Sequence, residues 1–264
     1  MIPIIKWTLW QRRISTIWWS VAAFGLIFIN MIFYPSFKDE AAQLQKSFDS
    51  LPDAAVQLFG GSTDFFSPVG FLNSQIFFLM LPMILAILAI GLGSSLVGRE
   101  EEDLTIEPLL ARPISRSKFL LSKALAGMIV LAFVTIVALL TTLIVGRLVD
   151  LTVPISSIVW ATAACYLLVL SLGSIAFLLS SLGRARAASI GIAAFVALGG
   201  YLISSLSETV TWLSGPGKLF PFHYYSPEQI LRGNFDWANV IFPATLTIVC
   251  AVLAWASFRR RDIG

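Results

Sequence analysis

The side chains able to do chemistry are few, and most of them fall in one short stretch. Arg99-Glu100-Glu101-Glu102-Asp103 sets one cation beside four carboxylates. Leu104-Thr105-Ile106-Glu107-Pro108-Leu109-Leu110-Ala111-Arg112 follows, and then Pro113-Ile114-Ser115-Arg116. Leucines flanked by charge suit protein docking, because an apolar anchor supplies burial and the charged rim supplies orientation. Pro108 and Pro113 suit the first positions of helical turns, which predicts a short helix and then entry into a longer one. Two readings fit the stretch. Either a partner covers Leu104, Ile106, Leu109 and Leu110, or the segment is a solvated hairpin whose leucines fold back on the chain.

No catalytic constellation stands beside it. His223 is the sole histidine, and next to Tyr224 and Tyr225 it reads as an interfacial aromatic. Cys165 and Cys250 fall inside apolar runs, so neither a disulfide framework nor a metal site is expected. The string nearest to a phosphate-binding loop, Gly93-Ser94-Ser95-Leu96-Val97-Gly98-Arg99, lacks the Lys and the following Ser/Thr. The apolar segments contain no Ser/His/Asp set and no carboxylate pair, which disfavours an intramembrane hydrolase and an ion-coupled carrier. The chain is not expected to be an enzyme or to bind a cofactor itself.

The elements that must position these residues come from hydropathy. The chain has 264 residues, of which 57% are hydrophobic and only 12% charged. A soluble domain carries about 25% charged residues. A soluble enzyme, a nucleic-acid module and a disordered tail are thereby excluded. Six apolar segments, roughly 14–34, 71–97, 119–146, 155–182, 187–206 and 238–258, hold 20 or more residues each and no acidic residue. About 20 residues suffice to cross a hydrocarbon core as a helix, the form that satisfies its backbone internally. One transmembrane domain, 1–264, is expected. Lys123, near the start of the third span, is expected to snorkel to the interface.

Basic residues set the orientation. Thirteen of the 18 lie in the N-terminus (Lys6, Arg12, Arg13), the second connection (Arg99, Arg112, Arg116, Lys118, Lys123), the fourth (Arg184, Arg186) and the C-terminus (Arg259, Arg260, Arg261). The other three connections hold Lys38, Lys46, Arg147, Lys218 and Arg232. The bias predicts cytoplasmic termini, in agreement with an even number of spans. Nine of the fifteen acidic residues lie on the outer side, so the net +3 divides into +7 inside and −4 outside. The first run ends in Phe33-Tyr34-Pro35 without a small-x-small site, which predicts an uncleaved anchor. Before it, Met1–Arg13 reads either as an interfacial helix or as a basic flank with Trp7 and Trp10 in the aromatic belt.

Two outer connections are long. In Pro35–Gly70, Ala41, Leu44, Phe48 and Leu51 recur at helical steps and predict a short interfacial helix. A second helical stretch starts at Pro52 and stops at Gly60-Gly61. These short helices serve either as a cap or as a substrate contact. Ser207–Trp237 carries Trp212, Phe220, Phe222, Tyr224, Tyr225, Phe235 and Trp237, which predicts that it dips into the interface or re-enters the outer leaflet. Within the spans, Asn30, Asn73, Gln75 and Thr135 either line a substrate path or hydrogen-bond neighbouring helices, and Ala89, Gly93 and Val97 read as helix packing.

The stretch Glu100–Lys123, "EEEDLTIEPLLARPISRSKFLLSK", resembles the signature of ABC-2-type transporter permeases. In that family an acidic run leads into Thr-x-Glu-x-Leu-Leu-x-x-Pro-x-Ser-Arg and a Lys near the third span. Thr105, Glu107, Leu109, Leu110, Pro113, Ser115, Arg116 and Lys123 match; Leu104 and Pro108 depart from the usual Gly and helix former. "LPDAAVQLFGGSTDFFSPVGFL" (Leu51–Leu72) and "FPFHYYSPEQIL" (Phe220–Leu231) extend the likeness along the chain. The resemblance implies an all-α membrane protein of six transmembrane helices, with a cytoplasmic coupling helix between helices 2 and 3. It also implies a second permease subunit, identical or related, and cytoplasmic ABC ATPase subunits that bind ATP and Mg. Residues 98–118 become the coupling segment, with Glu100, Glu101, Glu102, Asp103, Thr105, Glu107, Leu109, Leu110, Pro113, Ser115 and Arg116 at the ATPase. The implied activity is export of a lipid-like, amphiphilic or hydrophobic drug-like substrate across a prokaryotic inner or plasma membrane. The alternative is a non-transporting membrane scaffold or sensor that docks a cytoplasmic regulator through the same helix.

Overall fold

The computed structural model describes residues 1–39, 67–103, 115–207 and 210–261, which are helical with no strand among them. The elements are α1 (Ile2–Ile32), α2 (Tyr34–Asp39), α3 (Pro68–Leu72), a π-helical turn (Asn73–Phe77) and α4 (Met80–Glu102). Then follow α5 (Arg116–Leu148), α6 (Ile155–Ser181), α7 (Arg186–Leu206), α8 (Ser214–Gly217), α9 (Pro227–Leu231) and α10 (Ala238–Arg260). Among the described residues six stretches are long and apolar enough to cross a membrane: Ile2–Ser36, Pro68–Glu102, Arg116–Leu148, Ile155–Ser181, Arg186–Leu206 and Ala238–Arg260. Each contains or nearly coincides with one of the six apolar runs of the sequence.

The N-terminal residues do not form a separate interfacial helix. They are the first turns of α1, which runs unbroken through 31 residues. Pro3 sits in its opening turn, where a missing N–H costs nothing, and no proline follows until Pro35. At 1.5 Å per residue α1 is about 46 Å long, so it outruns a hydrocarbon core of about 30 Å. Trp7 and Trp10 stack at 5.6 Å, and the Arg13 guanidinium lies 4.1 Å from the Trp10 ring centre. The interfacial helices expected within 40–66 lie outside the described residues.

The second span is broken for a chemical reason. Pro82 cannot donate to the Phe78 carbonyl, and its ring crowds that oxygen. The helix accommodates this with the π turn, in which the Phe78 N–H reaches back to the Asn73 carbonyl at 2.8 Å. The Phe77 carbonyl instead accepts a hydrogen bond from the Tyr225 hydroxyl at 2.7 Å. A tyrosine in the aromatic connection thus satisfies a backbone carbonyl at the break in the helix, next to the one that Pro82 cannot serve.

Helix α6 is the hub, packed against α4, α10, α7, α5 and α9, whereas α1 leans chiefly on α5. Large apolar side chains stay exposed around the outside of the bundle, among them Phe195, Leu198, Ile144 and Trp18. That is the arrangement a lipid-facing surface needs, since acyl chains replace water there. Small residues bring α4 and α6 together as the Ala89/Gly93 spacing predicts. A Cβ on Gly93 would press on the Gly173 carbonyl oxygen and stand 3.0 Å from the Phe177 nitrogen. A Cβ on Gly173 would stand 2.9 Å from the Ala89 carbonyl oxygen.

The close approach generates a paired prediction. Gly93→Ala must push the α4 and α6 backbones apart and should cost about 1–3 kcal/mol, the usual range for overpacking. Gly91→Ala on the same helix meets nothing within 4 Å. It should be neutral, or stabilising by up to about 1 kcal/mol through helix propensity. Reversible unfolding in mixed micelles measures both.

Candidate functional site

The charged residues at the end of α4 are held by partners from three other parts of the chain. Lys123 of α5 donates to the Glu100 carboxylate, and both side chains are largely removed from solvent, at 4% and 14% exposure. The lysine also lies 5.7 Å from the Phe119 ring centre. Glu101 receives both terminal nitrogens of Arg261, at 2.6 and 3.3 Å. Glu102 faces Arg186 at the start of α7, 3.6 Å away. One turn earlier, Arg12 of α1 donates to the Ser95 hydroxyl at 2.6 Å and to its carbonyl at 3.3 Å. Arg116 donates to the backbone carbonyl of Arg261. Five chain segments (α1, α4, α5, α7 and the C-terminal tail) are therefore tied together at one end of the bundle.

Local structure places each of these groups. The Ser115 hydroxyl caps α5 by accepting from the Lys118 N–H at 3.3 Å, which orients the first turn and Arg116 on it. Helix α6 ends at Gly183, whose φ of +83° is left-handed. There the Arg184 N–H returns to the Leu179 carbonyl at 3.2 Å and the Gly183 N–H to Ser180 at 3.0 Å. Glycine is needed twice over at this position. It takes the left-handed turn, and a Cβ would run into the Arg261 guanidinium. Beneath the ion pairs lies an apolar layer of Leu96, Val97, Phe119, Leu120, Phe177, Ala254 and Phe258. Phe119 and Phe258 stack within it at 6.1 Å. This layer keeps water from the pairs and strengthens them.

The expected docking residues divide accordingly. Glu100 and Glu101 are taken up by contacts inside the chain, and Glu102 is shared between Arg186 and solvent. Asp103 pairs with Arg99 at 3.4 Å and stays open, at 57% side-chain exposure. Ser115 and Arg116 serve as cap and clamp. Thr105, Glu107, Leu109, Leu110 and Pro113 lie outside the described residues. Lys123 does not snorkel, contrary to expectation; it is 3% exposed because the Glu100 carboxylate meets it inside the bundle.

The polar span residues do not converge on a path. The Asn30 amide donates to the Leu26 carbonyl at 2.8 Å, and the Thr135 hydroxyl to the Leu131 carbonyl at 2.9 Å. Each donates to a carbonyl of its own helix, and the Asn30 amide also lies 4.0 Å from the Met80 sulfur on α4. Gln75 sits half-buried in the π turn. Asn73 is buried and borders a cavity of about 340 Å³ at the opposite end of the bundle from the ion pairs.

That cavity lies between the π turn, the end of α7 and the aromatic connection, and the sequence did not announce it. Tyr201, Ser205, Ser207, His223, Tyr225 and Gln229 are among its walls. The connection is folded down on the helices: Tyr224 stacks on Phe242 at 4.1 Å, and Phe235 meets Trp160 at 5.2 Å. Burial, with the neighbouring Cys165 thiol adding to it, pushes the Tyr225 phenol well above its ordinary pKa. It therefore stays protonated and keeps donating to Phe77.

Breaking the innermost ion pair separates its two costs. Lys123→Met strands a buried carboxylate and should destabilise by about 3 kcal/mol, whereas Glu100→Gln with Lys123→Met removes both charges and should recover much of that loss. Arg99→Ala, at an exposed pair, should change stability by less than about 1 kcal/mol. Mixed-micelle unfolding of the singles and the double provides the thermodynamic cycle.

Comparison with known proteins adds a family and no activity. No curated protein matches the chain. A family model described as Protein of unknown function (DUF2705) matches residues 27–264, from within α1 to the C-terminal residue of the sequence. A match over so much of the chain, from the last turns of α1 through the other five long helices, means that the protein belongs to the DUF2705 family.

Proposed function

We propose that this chain is the membrane-spanning subunit of an ATP-driven transporter of the ABC-2 permease type, with both termini in the cytoplasm and ATP hydrolysed by a separate subunit. The observation that carries this reading is the clamped end of the bundle. Arg12, Arg116, Lys123, Arg186 and Arg261 come together there around Glu100, Glu101 and Glu102. These are the chain segments in which basic residues concentrate, so the positive-inside bias assigns this end to the cytoplasm. Asp103 and Ser115, which flank the Leu109-Leu110 motif, both belong to it. A motor that pulls on the intervening segment would find α4 and α5 already joined by the Glu100–Lys123 pair. Its displacement would pass into both helices together.

The membrane interior supports an apolar or amphiphilic substrate. A narrow cavity of about 90 Å³ lies among α4, α5, α6 and α10, lined by Gly93, Gly127, Leu131, Gly173 and Phe177 among others. Ser174 and Thr247 are the polar residues on its wall, and the Thr247 hydroxyl is bonded to the Pro243 carbonyl at 2.8 Å. Such a lining offers little to an ion and much to an acyl chain. Export is the direction this permease type favours, and a second permease subunit would complete the path.

The test is recovery of the motor. Chain purified from its own cells in gentle detergent should carry a cytoplasmic ATPase, and reconstitution of the pair should give ATP-dependent solute movement. Leu109→Asp with Leu110→Asp should cut ATPase recovery at least about tenfold, equivalent to about 1.4 kcal/mol of binding. Purified chain free of any ATPase, at every stoichiometry tried, rules the proposal out.

A further inference from the structure

The cavity opposite the clamped end differs chemically from the rest of this apolar chain. Ten of its thirteen wall residues carry polar side-chain atoms. The Ser204 hydroxyl at its border is buried with no hydrogen-bond partner among the described residues. Its volume of about 340 Å³ falls at the small end of the range for small-molecule sites, about 300–1,000 Å³.

Charge narrows what it can hold. Among the described residues no Lys or Arg lines it, so a phosphate or carboxylate would enter without a counter-charge. One carboxylate, Glu228, borders it, and Arg232 already engages that group with two nitrogens at 2.9 and 3.1 Å. A cation would therefore find the one carboxylate among the described wall residues already engaged. The remaining groups are serine and tyrosine hydroxyls, the Asn73 and Gln229 amides and an imidazole. Most of these side chains can both donate and accept. Aromatic faces complete the wall: Phe78 and Phe222 each meet Tyr201 edge-on at 5.9 Å.

We propose that this cavity binds a neutral polyhydroxylated group of about one ring, a hexose unit, either free or as the head of a glycolipid. Sugar hydroxyls match side chains that donate and accept, and the C–H face of a pyranose packs on aromatic rings. The position fits both sources. Phe78 lies at the break in the second span, 24 residues before Glu102 at its far end and about 36 Å from it at 1.5 Å per residue. The cavity is therefore near the level at which lipid heads begin on the other side of the bilayer. Binding here does not depend on an ATPase, so it stands or falls separately from the transport proposal.

Site protection tests it with the full-length chain in nanodiscs. Ser205→Cys places a thiol on the wall, while the native Cys165 and Cys250 are buried, at 0% and 5% exposure, and stay silent towards a maleimide. With a Kd near 10 mM, about 20 mM glucose or N-acetylglucosamine should slow labelling about threefold, following 1 + [L]/Kd. Inorganic phosphate and choline at the same concentration should not. Nanodiscs containing monoglucosyl diacylglycerol identify the source: protection by the lipid alone assigns a glycolipid head, and protection by both assigns the sugar itself. Gln229→Ala in the same background should reduce the protection, with gel filtration checking the fold. If Ser205→Cys fails to fold, Ser207→Cys takes its place. Unaltered labelling with both sugars and the glycolipid, or equal slowing by phosphate or choline, overturns the proposal.

Discussion

Glu100 and Lys123 meet where both have lost most of their water, and much of one end of the molecule follows from that. A lysine and a glutamate each taken out of solvent are tolerable only together, because the loss of either leaves an isolated charge against Phe119 and its neighbours. The pair therefore fixes the spacing of α4 and α5 at that end. Once it is set, Glu101 and Glu102 emerge on the same turn, where Arg261 and Arg186 reach them. The tail cannot close on Glu101 unless α6 turns sharply at Gly183, since any side chain there would occupy the place of the guanidinium. Ion pairs, helix caps and one left-handed glycine are thus a single arrangement.

The opposite end is organised by a backbone deficit. Pro82 interrupts the second span, the π turn absorbs the interruption, and the Tyr225 hydroxyl takes the Phe77 carbonyl. Lipid offers no replacement partner for such a group, so the aromatic connection has to lie on the helices. Once it does, its polar side chains and the serines at the end of α7 enclose a cavity that no single element contains. The two ends are built on different terms: charge matched against charge at one, neutral hydrogen-bonding groups around open space at the other. Between them, Gly93 and Gly173 let α4 and α6 touch backbone to backbone, which gives the two ends a short, stiff connection.

Much of this was legible in the residues themselves, for reasons of range. Hydropathy is local, so all six spans could be read, and Ala89 and Gly93 announced their close packing. The continuity of α1 was only partly legible, because a basic aromatic flank and the first turns of a long helix have the same composition. Charge pairing is not local. Glu100 and Lys123 are 23 residues apart, and Glu101 and Arg261 are 160 apart, so nothing in the acidic run itself showed that its carboxylates pair within the chain. The cavity left no trace, because polar residues scattered over three segments form no motif. Thr135 and Asn30 could be read either as lining a path or as bonding neighbouring helices; both donate to carbonyls of their own helices, and Asn30 also approaches the Met80 sulfur.

All of this has a working direction only if the ion-paired end faces the cytoplasm. Two exposed positions, Arg184 beside the clamp and Asn234 beyond α9, report on the two ends, with the native cysteines buried. Arg184→Cys and Asn234→Cys chains in intact cells can be treated with a membrane-impermeant maleimide. Asn234→Cys should label at once, and Arg184→Cys only after the membrane is opened. Labelling of Arg184→Cys in intact cells with Asn234→Cys protected would place the clamp outside, beyond the reach of any ATPase.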